Sequence, residues 1–280
     1  GPDALDRGAG WWEMSRGSMI CPECGKLIGV GEPRCPFCGA WRPGLYGVTP
    51  KLQRLFGGRL DLVGVIVASC IALYVLSLAL DPGAIAGGGL FNLLAPGNDA
   101  LARLGMTSGY DLAAGRWWTL LTAIYLHGGL LHIFFNVMWI RQLGPAVTET
   151  YGPARAFVIF SLAGVAGFAL SDVLSPYPSV GASGSIFGLL AALIVYGRRR
   201  GSTHMTAQLW QWAIVLFVMG FFLSHVNNWA HAGGFAGGWL AATAMRFGDE
   251  KRESALVQVL ALALLAATAL GVVLSLFNTA

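Results

Sequence analysis

The chain has 280 residues, of which 55% are hydrophobic and only 11% are charged, with a formal net charge of +4 at pH 7. A soluble globular domain carries about 25% charged residues, so this composition excludes an ordinary soluble protein and predicts a membrane protein. The small excess of positive charge gives no reason to expect a nucleic-acid partner.

Composition divides the chain into five segments. Residues 1–18 are a leader whose Gly-Pro start and Gly-Ser-Met junction are typical of residues left by cloning, so the leader is excluded from the fold prediction. Residues 19–43 form a small module rich in Cys and Pro, and residues 44–60 are a basic connector. The remainder is expected to be all-α and polytopic, with a six-helix core at 61–247 and a seventh transmembrane helix within 248–280.

The small module contains two Cys-x-x-Cys pairs, Cys21 with Cys24 and Cys35 with Cys38. Two such pairs bring four thiolates within tetrahedral reach of one ion, which predicts a zinc-ribbon-like module with structural zinc. The alternative is a pair of disulfides, which the predicted cytosolic location disfavours. A four-cysteine site is closed, so it stabilises a fold and does not catalyse. The module either binds a partner protein or stabilises the N-terminal region.

Long runs without Asp, Glu, Lys or Arg follow the connector, and each spanning helix needs roughly 20 mostly apolar residues. Helices are expected because lipid leaves the backbone few other ways to satisfy its polar groups, and no alternation typical of a closed barrel is present. The 45-residue run at 201–245 is long enough for two helices, with Asn227 and Asn228 at the turn. Seven helices are predicted near 61–80, 131–147, 154–174, 183–197, 208–224, 231–247 and 255–277.

Most Lys and Arg residues of the membrane segment fall on one side if these helices alternate in direction. Only Arg103 and Arg116 fall on the other side. Cytoplasmic loops carry the excess of Lys and Arg, so the N-terminus is predicted to be cytosolic and the C-terminus external.

Three polar clusters stand at the starts of the second, fourth and sixth predicted helices. Helices of equal parity run in the same direction, so the three clusters are expected to share the outer face of the membrane and to form one site. Polar groups within spans are costly and usually functional. The clusters are centred on His127 to Asn136, on 181–184, and on 227–231.

Chemistry assigns roles within this expected site. A serine needs a base to become a nucleophile, which predicts Ser183 as nucleophile and His231 as base. His132 and Asn136 are four residues apart on one helix face and both can donate hydrogen bonds, so they are the candidate oxyanion donors.

Glycines four residues apart favour close approach of the fourth and sixth helices, which would bring Ser183 to His231. The pairs are Gly184 with Gly188 and Gly234 with Gly238.

Non-catalytic interpretations remain for single residues. Ser183 at a helix start is commonly a cap, and Asn136 can join helices by a hydrogen bond. His127 is interpreted as a structural anchor of the loop rather than a site residue. Asp172 is not expected to act as the acid of a triad.

At these residues the sequence resembles the rhomboid family of intramembrane serine proteases, over about 61–247. The motifs that carry the resemblance are Arg116-Trp117-Trp118, His127 with His132 and Asn136, Gly-Ala-Ser-Gly at 181–184, and Ala230-His231-Ala-Gly-Gly.

The resemblance implies a Ser183–His231 dyad without a required acid, an oxyanion hole from His132, Asn136 and the Ser183 backbone, and stacking of Phe187 on the histidine. It also implies transmembrane-anchored substrates in the lipid bilayer, cut near its outer boundary, with lateral access beside the fifth helix at 208–224. No cofactor for catalysis is expected. A bacterial inner membrane is the expected location.

Two other function classes are compatible with a polytopic chain of this kind. One is a catalytically inactive rhomboid relative that binds and escorts membrane proteins, and such relatives typically lack the serine or the histidine. The other is a transporter, which typically has broken helices in two matching halves. The sequence shows no such symmetry.

Overall fold

A computed structural model describes the chain in two compact units, Gly1–Asp61 and Leu62–Ala280. The connector predicted at 44–60, and the leader except for Ser18, lie outside the described residues. The described residues are 18–21, 24–29, 32–39, 61–81, 93–223, 226–245 and 254–277.

The first unit contains a two-stranded antiparallel sheet in its described part. Strands β1 (Ser18–Ile20) and β2 (Leu27–Gly29) pair with Ile20 opposite Leu27. Ile28 is buried with the thiols of Cys21 and Cys35, while Ile20 and Leu27 are exposed. The buried side chains among the described residues of this unit are few, as in small folds that are stabilised by a metal or another cross-link.

The second unit is helical throughout its described secondary structure. A short 3₁₀-helix, Ala123–Tyr125, follows the fourth helix. The α-helices are α1 (Leu62–Leu80), α2 (Asn98–Leu104), α3 (Gly109–Ala113), α4 (Thr119–Thr122), α5 (Leu130–Tyr151), α6 (Pro153–Leu174), α7 (Ser183–Arg199), α8 (Thr203–Met219), α9 (Asn228–Ala244) and α10 (Ala255–Phe277).

The seven predicted helices are therefore confirmed as α1 and α5 to α10, and the chain is an all-α polytopic membrane protein. Three of these helices have bounds that differ from the prediction by three residues or more. Helix α5 ends at Tyr151 rather than at 147. Helix α8 begins at Thr203 and ends at Met219 rather than spanning 208–224, because it starts directly after the Gly201–Ser202 turn. Helix α9 begins at Asn228, so His231 lies in its first turn and not at its first residue.

Within the part of the chain that the structure describes, three helices are long and apolar enough to cross a membrane by themselves, namely α1, α6 and the Leu256–Phe277 part of α10. Helix α5 is long and apolar enough to cross a membrane only together with the preceding 119–125 segment, from which it is bent by 92°. Helices α7, α8 and α9 have 17 residues each. Such a helix is about 25 Å long, shorter than a hydrocarbon core of about 30 Å.

The connection before α5 carries helices α2, α3 and α4 and is fastened to the core by hydrogen bonds. The backbone of Thr107 pairs with that of Ser179, and its hydroxyl donates to Asp172 Oδ2 on α6 at 2.6 Å. On another side, the indole N–H of Trp118 donates to Ser275 Oγ of α10 at 3.0 Å. Helix α10, the seventh helix of the prediction, therefore packs on this connection.

Helix α7 lies at the centre of the second unit, with nearly all of its residues buried. Its closest neighbour is α9, and glycines make the contact. A methyl group on Gly234 would overlap the backbone of Gly184, and one on Gly238 would overlap that of Gly188. The two glycine pairs therefore let the helix backbones touch, as the sequence predicts.

Gly238→Ala is expected to lower the free energy of unfolding by at least about 1–3 kcal/mol, because the added methyl must push α7 away from α9. Thermal unfolding in detergent measures the change. Ala236→Val is the matched control, since it adds more volume at an exposed position of the same helix and should change stability by less than about 0.5 kcal/mol. Equal stability of the Gly238 variant and the wild type would contradict the contact.

Candidate active site

Ser183 and His231 are joined by a hydrogen bond. Ser183 is the first residue of α7 and follows Gly181, whose φ of +124° is accessible to glycine and strained for other residues. His231 is buried in the first turn of α9. Its Nε2 lies 2.9 Å from Ser183 Oγ, so the imidazole is within reach of the hydroxyl proton.

Two further contacts hold the imidazole of His231. Its Nδ1 lies 3.2 Å from Asn228 Oδ1. An amide oxygen only accepts hydrogen bonds, which assigns the ring hydrogen to Nδ1 and leaves the Nε2 lone pair toward Ser183. The ring of Phe187, one turn after the serine, stacks on the imidazole with centroids 4.4 Å apart and planes 22° apart.

His132 lies beside the segment that precedes Ser183. Its Nδ1 accepts a hydrogen bond from the Gly128 backbone N–H at 3.3 Å, so the ring hydrogen is on Nε2. That nitrogen faces Gly181, where a methyl group would lie 2.6 Å from it. The Nε2–H of His132 is thus directed toward the turn that carries Ser183.

Asn136 is one helical turn further along α5 and is buried. Its Nδ2 donates to the carbonyl oxygen of His132 at 2.8 Å, and its Oδ1 is buried without a partner. The amide group has a second N–H that remains free for an acceptor. Among the described residues, no hydrogen bond joins Asn136 to Ser183 or His231.

His127 is fully buried next to His132. The two rings meet edge to face with centroids 5.1 Å apart, and His127 Nδ1 lies 3.3 Å from the carbonyl oxygen of Tyr125. These contacts fit the anchor interpretation, in which His127 fixes the turn between the 3₁₀-helix and α5.

Asn227 holds the start of α9 through a network that sequence reasoning missed. Its Oδ1 accepts from the backbone N–H groups of Trp229 and Ala230 and caps the helix. Its Nδ2 donates to Ser171 Oγ on α6 at 2.6 Å and to Ser179 Oγ at 2.8 Å. An Asn before a helix signals a cap, but its two serine partners are about 50 residues away and no local pattern indicates them.

Asp172 faces the connection before α5. Its Oδ2 accepts from the hydroxyl of Thr107, while both ring nitrogens of His231 are engaged by Ser183 and Asn228. This geometry gives Asp172 a structural partner and leaves it outside the hydrogen bonds of the imidazole.

The four cysteines of the first unit form a separate cluster. Their sulfur atoms all lie within 4.8 Å of one another, with Cys21 and Cys38 3.8 Å apart and Cys24 and Cys35 3.7 Å apart. Four sulfurs bound tetrahedrally at about 2.3 Å from one zinc ion would be about 3.8 Å apart. The donor set and spacing therefore fit a structural zinc ion.

The pKa of the Cys35 thiol is lower than that of an ordinary cysteine, which makes the thiolate that a metal requires more accessible. Burial acts to raise its pKa, but hydrogen bonds from the backbone N–H groups of Cys38 and Phe37 outweigh burial and lower the pKa to about 7. A thiolate is the form of cysteine that binds metal.

Comparison with known proteins places this arrangement in a family. Residues 114–248 match the Rhomboid domain. The chain is 37% identical over 143 residues to YdcA of Bacillus subtilis, which is provisionally named a rhomboid protease, and the match covers 48% of this chain and 70% of YdcA. The chain belongs to the rhomboid family. Every candidate residue on α5, α7 and α9 lies inside the matched domain, whereas the cysteine cluster and α10 lie outside it.

Other rhomboid relatives differ in length and in description. Rhomboid protease GluP of Bacillus subtilis is 37% identical over 150 residues, which are 52% of this chain and 30% of GluP. RHOMBOID-like protein 5 of Arabidopsis thaliana is 33% identical over 158 residues, which cover 52% of this chain and 50% of that protein. The chain thus spans half or less of these two relatives. A further Arabidopsis relative, 30% identical over 151 residues, is named Inactive RHOMBOID-like protein 8.

Proposed function

We propose that this rhomboid is an intramembrane serine endopeptidase that cleaves transmembrane-anchored proteins near the outer boundary of the membrane. The observation that carries the proposal is the 2.9 Å hydrogen bond between Ser183 Oγ and His231 Nε2. A serine hydroxyl is a weak nucleophile until an adjacent base takes its proton, and here the base is oriented by Asn228 and Phe187.

In the proposed mechanism, Ser183 Oγ attacks the carbonyl carbon of the scissile peptide bond while its proton passes to His231 Nε2. The tetrahedral intermediate collapses, His231 donates that proton to the leaving amine, and an acyl-enzyme remains on Ser183. Water then attacks the ester, again with His231 as base, and releases the second product.

The negative charge of the intermediate falls on an oxygen beside the start of α7. The backbone N–H of Ser183 at the helix start, the Nε2–H of His132 and the free amide N–H of Asn136 are the proposed donors. Such donors stabilise the transition state most when they are fixed in advance and water is excluded. The hydrogen bond from the Gly128 backbone N–H orients the His132 ring before substrate arrives.

A second candidate function is binding and escort of membrane proteins without catalysis, because one relative is named inactive. This chain has both the serine and the histidine, and the two are hydrogen-bonded. That arrangement favours the protease.

The first unit is proposed to be a zinc module that stabilises the cytosolic N-terminal region or binds a partner protein. We place the protein in a bacterial inner membrane with the C-terminus outside. The distribution of Lys and Arg supports this orientation, because the cytoplasmic side carries their excess.

A fluorophosphonate probe should label the wild type at Ser183, and Ser183→Ala should abolish both the labelling and the cleavage of a reconstituted transmembrane substrate with small residues near its outer boundary. His231→Ala should slow labelling at least about 10²-fold, since no base remains. Ser185→Ala is the matched control, because this buried serine lies two residues further along the same helix. Cleavage by Ser183→Ala at the wild-type rate would falsify the proposed mechanism.

Asp172→Asn should retain turnover within a few-fold of the wild type, because the amide oxygen can still accept from Thr107 and His231 is untouched. His231→Ala should lower turnover about 10³-fold or more. Steady-state cleavage assays compare the two variants directly. A loss in the aspartate variant as large as that in the histidine variant would show that a dyad is the wrong description.

The protein purified under reducing conditions without chelator should contain one zinc per chain. Cys35→Ser should lose the metal, because zinc sites of this kind need all four thiolates. Cys70→Ser is the matched control, since Cys70 is the fifth cysteine and lies buried in α1. Elemental analysis of the three proteins measures the metal, and zinc-free wild type would contradict the site.

A further inference from the structure

The imidazole of His231 is oriented by an amide where a carboxylate is often found in serine hydrolases. Asn228 Oδ1 lies 3.2 Å from His231 Nδ1. If the amide nitrogen faced the ring instead, the hydrogen would sit on Nε2, and His231 could not accept the proton of Ser183. The identity of the atom that faces Nδ1 therefore decides whether the base is competent.

The backbone at Asn228 is fixed, so its side chain approaches the ring from a defined direction. Asn228 is the first residue of α9, directly after the capping residue Asn227, which is itself held by two serines. Residues three apart on a helix lie on the same face, which puts the amide of Asn228 beside the imidazole of His231.

Gly220 at the end of α8 leaves room for this amide. Its φ of −61° and ψ of −21° are ordinary helical values that any residue adopts. Its backbone conformation therefore does not require glycine. A methyl group there would overlap Asn228 Oδ1 and lie 3.1 Å from Asn228 Cγ. Glycine at this position makes space for the asparagine.

We infer that Asn228 is the positioning residue of His231 and that Gly220 leaves room for the side chain of Asn228. This inference rests on the proposed Ser183–His231 mechanism. Asn228 acts through the imidazole and does not contact the reacting atoms. A neutral amide suits this half-buried position within the helical bundle, because a carboxylate there would carry a desolvation cost that an amide avoids.

The kinetic test measures cleavage of one reconstituted substrate across pH by the wild type, Asn228→Ala, Asn228→Asp and the control Asn227→Ala. Asn228→Ala should lower kcat about tenfold with KM unchanged, since one neutral hydrogen bond that orients the base is lost. Asn228→Asp should cleave faster than Asn228→Ala. It should also shift the acid limb of the kcat profile to higher pH, because a carboxylate stabilises the imidazolium.

The control for a merely structural effect is Asn227→Ala, which removes the helix cap and should lower thermal stability while leaving the acid limb in place. Among the described residues, the ionisable neighbour that interacts with His231 from another helix is His132 on α5, and it is unchanged in every variant. An acid limb that moves equally in Asn227→Ala and Asn228→Asp would overturn the inference.

The contact with Gly220 is tested by a double-mutant cycle. Gly220→Ala should reduce kcat several-fold in the wild type, because the methyl displaces the amide of Asn228. In the Asn228→Ala background the same change should have a smaller effect, since only Val226 Cγ1, 3.0 Å from the added methyl, is then crowded. Additive effects of the two changes would overturn the role given to Gly220.

A measurement independent of activity separates this inference from the proposed function. Nitrogen NMR of the histidine side chains, assigned by comparison with His231→Ala, should show His231 with its hydrogen on Nδ1 in the wild type and a loss of that preference in Asn228→Ala. A hydrogen on Nε2 in the wild type would overturn the inference. If Ser183→Ala abolishes cleavage while both Asn228 variants match the wild type in rate, pH profile and tautomer, the positioning role is wrong and the protease stands.

Discussion

Helices α7 and α9 touch through their backbones because glycines meet across the interface, Gly184 with Gly234 and Gly188 with Gly238. In a membrane, helices gain little from hiding apolar surface, so close packing of small residues supplies much of their association. The contact also fixes the distance between the two helix starts. Ser183 is next to Gly184 and His231 lies one turn before Gly234, so their hydrogen bond depends on that spacing.

Around this contact, the site is made from neutral groups. An amide oxygen orients His231, a backbone N–H orients His132, and two serine hydroxyls accept from Asn227. Buried charges are costly unless they are fully paired, so hydroxyls, amides and backbone groups provide fixed directions at lower cost. Asp172, near the end of α6, accepts a hydrogen bond from Thr107 and so holds the connection before α5.

Sequence patterns predicted the long elements and the principal residues of the candidate site. Uncharged runs gave the seven helices, and matching helix direction grouped Ser183, His231 and His132 on one face. The patterns did not give the start of α8, because an apolar window is broader than the helix within it. They also missed the partners of Asn227 and the pairing of Asn228 with His231. These hydrogen bonds depend on how segments far apart in the sequence pack together, which neither residue spacing nor composition predicts.

The short length of α7, α8 and α9 has a consequence for biogenesis. Helices α7 and α9 have 17 residues each and include glycines and polar groups, which makes their independent partition into lipid less favourable. Helices α1, α6 and the Leu256–Phe277 part of α10 satisfy the length and hydropathy that such partition needs. Packing against the neighbouring helices therefore contributes more to holding α7 and α9, which carry Ser183 and His231, in the bilayer than it does for α1.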